Sequence, residues 1–239
     1  MQLTVVGCSP AWPNPDGAQS GYLVDDRVLL DCGPGVLARL RSTAVWPDVA
    51  AVVLTHWHLD HWGDLIPWVW GGLVGPGQSM EPPELWVPPN GISMLEQFGE
   101  LLGFPDMFER VFRLHQYDED TAFETAGLAV HPLRLPHYTL ETYGLRVESD
   151  ERVLAYSGDS APSDRLAELA RDADLFVCEA TLERGELDAT PRGHLSLDEA
   201  AAAFEASGAK RLLLTHRPAE LSLPAGFEQA HDGMVLELG

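Results

Sequence analysis

Short apolar runs that end at turn residues recur along the chain, and such runs are typical of buried β-strands. A first group predicts strands at Leu3–Gly7, Ser20–Asp25, Arg27–Asp31, Val52–Thr55 and Glu84–Val87. A second group predicts strands at Arg113–His115, Ala122–Glu124, Leu128–Leu135, Tyr143–Glu148, Arg152–Ser157, Leu175–Glu179, Leu212–Thr215 and Met234–Leu238. The adjacent residues Asp25 and Asp26 predict a tight hairpin turn between the second and third strands.

Helical stretches separate several of these strands. They are predicted at Gly35–Ser42, Asp60–Trp68, Ile92–Leu102, Pro162–Ala170 and Ser196–Ser207. The last is the clearest, because Ser196 is a good N-cap, Glu199 completes a capping box and Gly208 provides a stop. Ser160 is the expected cap of the helix before it. The stretch Gly71–Pro83 is rich in glycine and proline and predicts a mobile loop.

The most specific chemical signal is the run His56-Trp57-His58-Leu59-Asp60-His61, directly after the strand at Val52–Thr55. Imidazole and carboxylate side chains suit divalent zinc and its neighbours. One tetrahedral ion would not take four ligands from a single loop, so the run predicts two adjacent metal ions. Further candidate ligands also follow apolar runs, and they are His137, Asp159 and His216. If the strands lie side by side, their ends bring these side chains together.

This order of ligands resembles the metallo-β-lactamase superfamily, and the resemblance spans nearly the whole chain. It implies that one metal is bound by His56, His58 and His137. It implies that a second metal is bound by Asp60, His61 and His216, with Asp159 as the bridge. The implied fold is α/β, a four-layer αββα sandwich of two mixed β-sheets flanked by helices. With a length of 239 residues, the chain is expected to form a single domain of this kind over residues 1–239.

A further pair of residues resembles the ribonuclease Z-like branch of the superfamily. Glu179 ends one predicted strand, and His194 stands just before the capped helix. By this resemblance His194 protonates the leaving alkoxide or stabilises charge on phosphate, and Glu179 fixes its tautomer. Asp60 is expected to orient the nucleophile, a hydroxide that two bridged metals generate from water near neutral pH.

The expected function is therefore dinuclear metal-dependent hydrolysis of a small or cyclic nucleotide-type phosphodiester. Processing of tRNA 3′ ends is an alternative, but the basic stretch of the tRNA-processing members has no counterpart at Pro13–Ser20, which lacks lysine and arginine. A carboxylic ester or lactone hydrolase of the same fold is another, against which the Glu179 and His194 pair argues. A redox di-iron centre and a non-catalytic binding module are weaker alternatives, because His58 and the other ligands are intact.

Charge restricts the partners further. The net charge is −22, from 15 basic and 37 acidic residues, which repels polyanions and disfavours large nucleic acids. A small anionic phosphodiester is still expected, because two divalent ions would dominate the local field. Zinc fits the ligands, while manganese and iron(II) stay open as alternatives. The resemblance also implies a homodimer.

The remaining features concern the cellular environment. No run approaches the length of a membrane span, so no membrane partner is expected. The N-terminal segment Met1–Gly7 lacks the basic start and long apolar stretch of a secretory signal. Cys8, Cys32 and Cys178 form no even framework and no Cys-x-x-Cys pair, so buried free thiols are expected. Together these features predict a cytoplasmic protein.

Overall fold

Two mixed β-sheets pack face to face in the computed structural model, which describes residues 1–43, 46, 48–119, 121–149 and 151–239. The first sheet consists of β1 (Gln2–Gly7), β2 (Gly21–Val24), β3 (Val28–Leu30), β4 (Ala51–Val53), β5 (Glu84–Val87), β6 (Arg113–Gln116) and β13 (Val235–Glu237). The second consists of β7 (Phe123–Thr125), β8 (Leu128–His137), β9 (Leu140–Glu148), β10 (Val153–Tyr156), β11 (Leu175–Glu179) and β12 (Leu212–Thr215). Each sheet contains both parallel and antiparallel pairs.

The spatial order of the strands is β13-β1-β2-β3-β4-β5-β6 in the first sheet and β12-β11-β10-β9-β8-β7 in the second. Helices cover the outer faces, and they are α1 (Val36–Arg41), α2 (Leu59–Trp62), α3 (Leu65–Val74), α4 (Gly91–Leu101), α5 (Arg165–Leu169) and α6 (Leu197–Ser207). A short 3₁₀ helix at Gly185–Leu187 was not predicted from the sequence.

Alternation along the strands builds the layers. In β1, Leu3 and Val5 lie in the core between the two sheets, whereas Val6 packs under the helices of the first sheet. In β11, Leu175 and Val177 likewise join the central core, while the opposite face of the strand packs with α5 and α6. Successive side chains of a strand point to opposite faces of the sheet, so a strand that is covered on both faces contributes side chains to two layers of the core. The result is the predicted four-layer αββα sandwich.

Three local predictions are confirmed, and they concern the hairpin turn, the capped helix α6 and the buried cysteines. Asp25 and Asp26 both have positive φ, 49° and 56°, as a two-residue hairpin turn demands. Helix α6 has the expected capping box, in which the Ser196 amide donates to the Glu199 carboxylate at 2.8 Å. The three cysteines are buried and unpaired. Within the described residues, no helix has the length and apolarity needed to cross a lipid bilayer.

Other local predictions were wrong. The helix predicted at Asp60–Trp68 is two helices, because α2 ends at Trp62 and α3 begins at Leu65. The loop predicted from Gly71 is still α3 as far as Val74. The glycine at position 72 serves close packing, since a Cβ there would lie 2.5 Å from a methyl carbon of Val111. Helix α5 begins only after Asp164, and Ser160 does not cap it.

Candidate metal centre

The predicted metal ligands meet at one edge of the sandwich because each follows a strand. The run from His56 to His61 lies beyond β4 of the first sheet and continues into α2. From the second sheet, His137 ends β8, Asp159 follows β10 and His216 follows β12. The two sheets thus supply facing halves of one cluster.

Two groups of donor atoms can be separated within this cluster. His56, His58, His137 and Asp159 form one group, and the donor atoms within it lie within 4.8 Å of one another. Asp60, His61, His216 and Asp159 form the other group, with the same limit of 4.8 Å. The division matches the one that the resemblance implied, although metal binding by these residues stays a prediction.

The carboxylate of Asp159 faces both groups, one oxygen to each. Its Oδ1 lies 3.3 Å from His61 Nε2 and 3.6 Å from His216 Nε2. Its Oδ2 lies 3.8 Å from His56 Nε2 and 3.9 Å from His137 Nε2. A carboxylate in this position can act as a bridging ligand.

Three buried polar atoms in the cluster make no hydrogen bond within the described residues: His56 Nε2, His61 Nε2 and Asp159 Oδ1. Buried polar atoms normally have partners. Atoms of this kind, gathered at one point and drawn from imidazole and carboxylate, fit the donor set that divalent cations take. The residues present therefore fit a metal site.

The other ring nitrogen of each buried histidine has a partner on the protein side. His56 Nδ1 lies 3.0 Å from Thr55 Oγ1, and His216 Nδ1 lies 2.9 Å from Thr181 Oγ1. His137 Nδ1 lies 2.7 Å from the carbonyl oxygen of Gly193, to which it donates. Such contacts fix the tautomer and the ring orientation, and they leave Nε2 on the side of the cluster.

Asp31 is the residue that orients the ring of His61. Its buried carboxylate accepts from His61 Nδ1 at 2.7 Å and from the Tyr156 hydroxyl at 2.9 Å. The amide of Thr55 donates to the other oxygen of Asp31 at 2.8 Å. Tyr156 was not singled out in the sequence, because it lies inside an apolar run that reads only as core.

Electrostatics favour neutral imidazoles in the first group. Burial lowers the pKa of His56 well below its usual value, and it also lowers the pKa of His58 and His137. Neutral imidazole is the form that binds metal.

The second group attracts positive charge. Burial alone would raise the pKa of Asp159, but nearby His216 and His61 hold it well below its usual value. Burial would lower the pKa of His61, but the carboxylates of Asp159, Asp31 and Asp60 together raise it well above normal. The three carboxylates around His61 therefore favour positive charge at this group of donor atoms.

The loop that follows β3 packs closely against the backbone of α2. A Cβ at position 33 would lie 2.0 Å from the carbonyl oxygen of Asp60, so only glycine fits there. The amide of Cys32 donates to the carbonyl oxygen of His61 at 2.7 Å. This contact fixes α2 against the loop that follows β3.

His194 and Glu179 lie beside the cluster as the resemblance implied. His194 Nδ1 lies 3.0 Å from Glu179 Oε1 and 3.9 Å from Asp159 Oδ2. The ring of His194 stacks on that of His216 at a centroid distance of 5.7 Å. Burial lowers the pKa of His194, but Glu179 and other carboxylates outweigh it and raise the pKa to about 9.

The loop that carries His194 is held by Asp188, which sequence reasoning missed. Its Oδ2 accepts from the amides of Gly193 and His194 at 2.7 and 2.9 Å. Its Oδ1 accepts from the Tyr138 hydroxyl at 3.1 Å. Tyr138 has a φ of 49°, a conformation that is strained for an aromatic residue and concentrates at functional sites. No periodic pattern surrounds Asp188 in the sequence, so no signal pointed to it.

Sequence relatives of this chain are found along most of its length. A model of the beta-lactamase superfamily domain matches residues 26–217. An uncharacterised protein of Mycobacterium leprae is 34% identical over 229 residues, covering 91% of this chain and 78% of the relative. The probable metallo-hydrolase YhfI of Bacillus subtilis is 30% identical over 226 residues, covering 91% and 87%. A ribonuclease Z of Mycobacterium bovis is 29% identical over 248 residues, covering 90% and 85%.

Solved structures share the fold at lower identity. The metallo-β-lactamase fold protein YhfI from Bacillus subtilis has a TM-score of 0.84 and 24% identity over 98% of both chains. Zinc-bound PqqB from Methylobacterium extorquens has a TM-score of 0.81 and 18% identity over 99% of this chain and 100% of its own. A diphosphatase of the PhnP family has a TM-score of 0.76 and 23% identity over 99% and 97%.

The family match and the relatives cover the strands and loops that carry the His and Asp cluster. Together with the geometry of the cluster, they establish both the fold and the use of divalent metal. The chain therefore belongs to the metallo-β-lactamase superfamily and is a metal-dependent hydrolase.

Proposed function

We propose that this hydrolase is a phosphodiesterase that binds two divalent ions, both zinc, and cleaves a small or cyclic nucleotide-type phosphodiester. The proposal is carried by one observation, the 3.0 Å contact between His194 Nδ1 and Glu179 Oε1 at the side of the candidate ligands. A histidine placed there can protonate the leaving group or stabilise charge on the phosphate.

The donor set supports two zinc ions. His56, His58 and His137 would hold one ion, and Asp60, His61 and His216 the other, with Asp159 spanning both. Imidazole nitrogens and carboxylate oxygens are common zinc ligands, and each group offers four donors when Asp159 is shared. When bound, two divalent ions lower the pKa of water, polarise a phosphoryl oxygen and neutralise developing charge.

His194 supplies the proton. Against the effect of burial, the carboxylate of Glu179 raises the pKa of His194 and so favours the protonated imidazole. Its Nδ1–H is engaged by Glu179, so Nε2–H remains to protonate the leaving alkoxide. Glu179 is itself fixed by the amide of Ser160, which donates to Oε1 at 2.8 Å, and by the Thr181 hydroxyl, which donates to Oε2 at 2.7 Å. Asp60, whose Oδ2 lies 3.1 Å from His216 Nε2, would orient the attacking water.

Processing of tRNA is the second candidate, since a relative at 29% identity is named ribonuclease Z. Carboxylic ester or lactone hydrolysis is the third, because the same donor set suits it. A panel of bis-p-nitrophenyl phosphate, 3′,5′-cyclic AMP, a precursor tRNA and a lactone separates the three candidates. We expect turnover of the first two substrates with two zinc ions per chain by metal analysis. Turnover of the lactone or the precursor tRNA alone would contradict the proposal.

Removal of the proton donor tests the role of His194 directly. His194→Ala should lower kcat by about 100-fold or more, the scale of general acid catalysis, while bound metal stays unchanged. His131→Ala is the matched control, because that imidazole is half-exposed and lies 3.7 Å from Glu148, away from the candidate ligands. Equal losses of metal and activity in His194→Ala would assign His194 a structural role instead.

Asp60→Ala and chelation with EDTA test the metals themselves. Both should abolish turnover of every phosphodiester in the panel, and zinc should restore the chelated enzyme but not the variant. Full activity after either treatment would overturn the proposal.

A further inference from the structure

Three large apolar side chains are exposed around the candidate metal centre, each on a different segment. Trp12 lies in the loop between β1 and β2, Leu59 begins α2, and Leu187 ends the 3₁₀ helix. Their exposed fractions are 55%, 57% and 58%. All three line one cleft of about 730 Å³ that also contains His58, Asp60, Asp159 and His194.

The position of these three side chains around a single cleft is what distinguishes them from other exposed apolar residues. Single exposed apolar side chains are ordinary on protein surfaces. Several that line the same cleft as reactive polar groups are typical of a small-molecule site, and such sites occupy roughly 300–1,000 Å³. Trp57, Tyr138 and Leu182 extend the apolar wall of this cleft. The size and the lining suit a ligand of nucleotide dimensions.

The charge of the cleft limits the ligand further. Among the described residues that line it there is no lysine or arginine, and three are aspartates: Asp60, Asp159 and Asp188. Asp188 is already occupied by the backbone amides of its own loop. Apart from bound metal and His194, nothing in the cleft would neutralise a second phosphate. A ligand with one phosphodiester group and one planar apolar group therefore fits, and a polyphosphate or an oligonucleotide does not.

We propose that Trp12, Leu59 and Leu187 form an apolar clamp that holds the base of a mononucleotide phosphodiester while its phosphate lies at the metal centre. This inference rests on the proposed phosphodiesterase function and specifies its substrate class. Trp12 offers an indole face on which a base can stack, and stacking of this kind tolerates any base. Leu59 and Leu187 add apolar contact from the two other segments.

The experiment compares two substrates that differ only in the base. One is 3′,5′-cyclic AMP, and the other is the same ribose cyclic phosphate with a methoxy group in place of adenine. In the wild-type protein we expect the base to raise kcat/KM by about tenfold or more, the scale of base stacking on one aromatic side chain. In Trp12→Ala and Leu187→Ala that advantage should shrink by about tenfold and fivefold respectively, mainly through KM, because the clamp binds the non-reacting part.

Matched controls come from the same residue types elsewhere on the surface. Trp70 is 48% exposed on α3 and Leu101 is 83% exposed on α4, and neither lines the cleft. Trp70→Ala and Leu101→Ala should keep the preference for the base within about twofold. A loss of preference equal to that of the clamp variants would overturn the proposal.

A binding measurement separates failure of the clamp from failure of the proposed function. Equilibrium dialysis of AMP against the zinc-loaded protein should show binding about tenfold weaker in Trp12→Ala, with bound zinc unchanged. If neither cyclic phosphate nor bis-p-nitrophenyl phosphate is cleaved, the proposed function fails, and weaker AMP binding in Trp12→Ala would still support the clamp. Cleavage without a preference for the base, or AMP binding equal in Trp12→Ala and wild type, overturns the clamp.

Discussion

At the scale of single residues, buried hydrogen bonds outside the cluster orient its ligands. Asp31 is the clearest case, because its fully buried carboxylate accepts from His61, Tyr156 and Thr55. The sequence places Asp31 at the end of a strand, before a tight turn, which favours a supporting role. Tyr156 could not be predicted as its partner, since the two lie 125 residues apart and nothing local marks the contact.

Asp31→Asn tests this orientation. Asparagine tolerates the φ of 59° observed at this position, so the change acts mainly on the hydrogen bonds. Asparagine replaces one acceptor oxygen with an NH2 donor, so it cannot accept from His61 and Tyr156 on one side and from the Thr55 amide on the other. We expect zinc affinity to fall by about 10–100-fold, the usual effect of losing such a support, as measured by competition with a chromogenic chelator. Asp26→Asn, in the exposed hairpin turn, should leave the affinity unchanged, and an equal fall there would contradict the assignment.

The carboxyl group of Asp188 should make the free energy of unfolding depend on pH at acidic values. Burial raises the pKa of Asp188, but the amides of His194, Gly193 and Ala189 outweigh it and hold the pKa below its ordinary value. A carboxyl group whose folded pKa is depressed stabilises the fold above its unfolded pKa of about 3.9, and this contribution is lost as the pH falls through the folded value. The difference in Tm between wild type and Asp188→Asn should therefore be present at pH 6 and shrink toward pH 3. A difference independent of pH would argue against this account.

At the scale of elements, the positions of the strands were predictable and some helix ends were not. Apolar runs marked the strands because both faces of each sheet are covered, by the other sheet or by helices. Helix α3 continues through Gly71 and Gly72, where composition predicted a loop. Composition failed there because glycine at position 72 satisfies a packing constraint with Val111, which a local pattern cannot reveal.

A pair of adjacent substitutions tests this explanation. At position 71 an added Cβ would come no closer than 3.6 Å to Trp46, so Gly71→Ala should stabilise the fold by up to about 1 kcal/mol through helix propensity. At position 72 the Cβ would lie 2.5 Å from Val111, whose branched side chain is stiff at χ1. Gly72→Ala should therefore be less stable than Gly71→Ala by about 1–3 kcal/mol, measured by urea unfolding. Equal stabilities would indicate that Val111 moves freely aside.

At the scale of the whole molecule, the two sheets contribute facing parts of the candidate centre. This convergence could be predicted, because strands that lie side by side bring their ends to one edge and the ligand residues follow those ends. The apolar clamp could not be predicted. Trp12 lies in a loop and Leu187 in a single 3₁₀ turn, and neither segment has an apolar period in the sequence. Only the folded chain shows that they line the same cleft as Leu59.

Metal should therefore connect the two sheets and stabilise the fold as a whole. Asp60, which follows a strand of the first sheet, and Asp159, from the second, belong to one group of donor atoms within 4.8 Å of one another, so a cation bound there would hold the two sheets together. Free zinc at 100 times its dissociation constant should add about 2.7 kcal/mol for each of the two sites, which together raise Tm by roughly 10–20 °C for a chain of this size. Calorimetry of the chelated and zinc-loaded protein should show this shift in one cooperative transition, as the predicted single domain requires. His216→Ala should reduce the shift in Tm. His231→Ala, which changes an exposed residue outside the cluster, should retain the shift. A Tm that does not respond to zinc would show that metal does not connect the two sheets at this cluster.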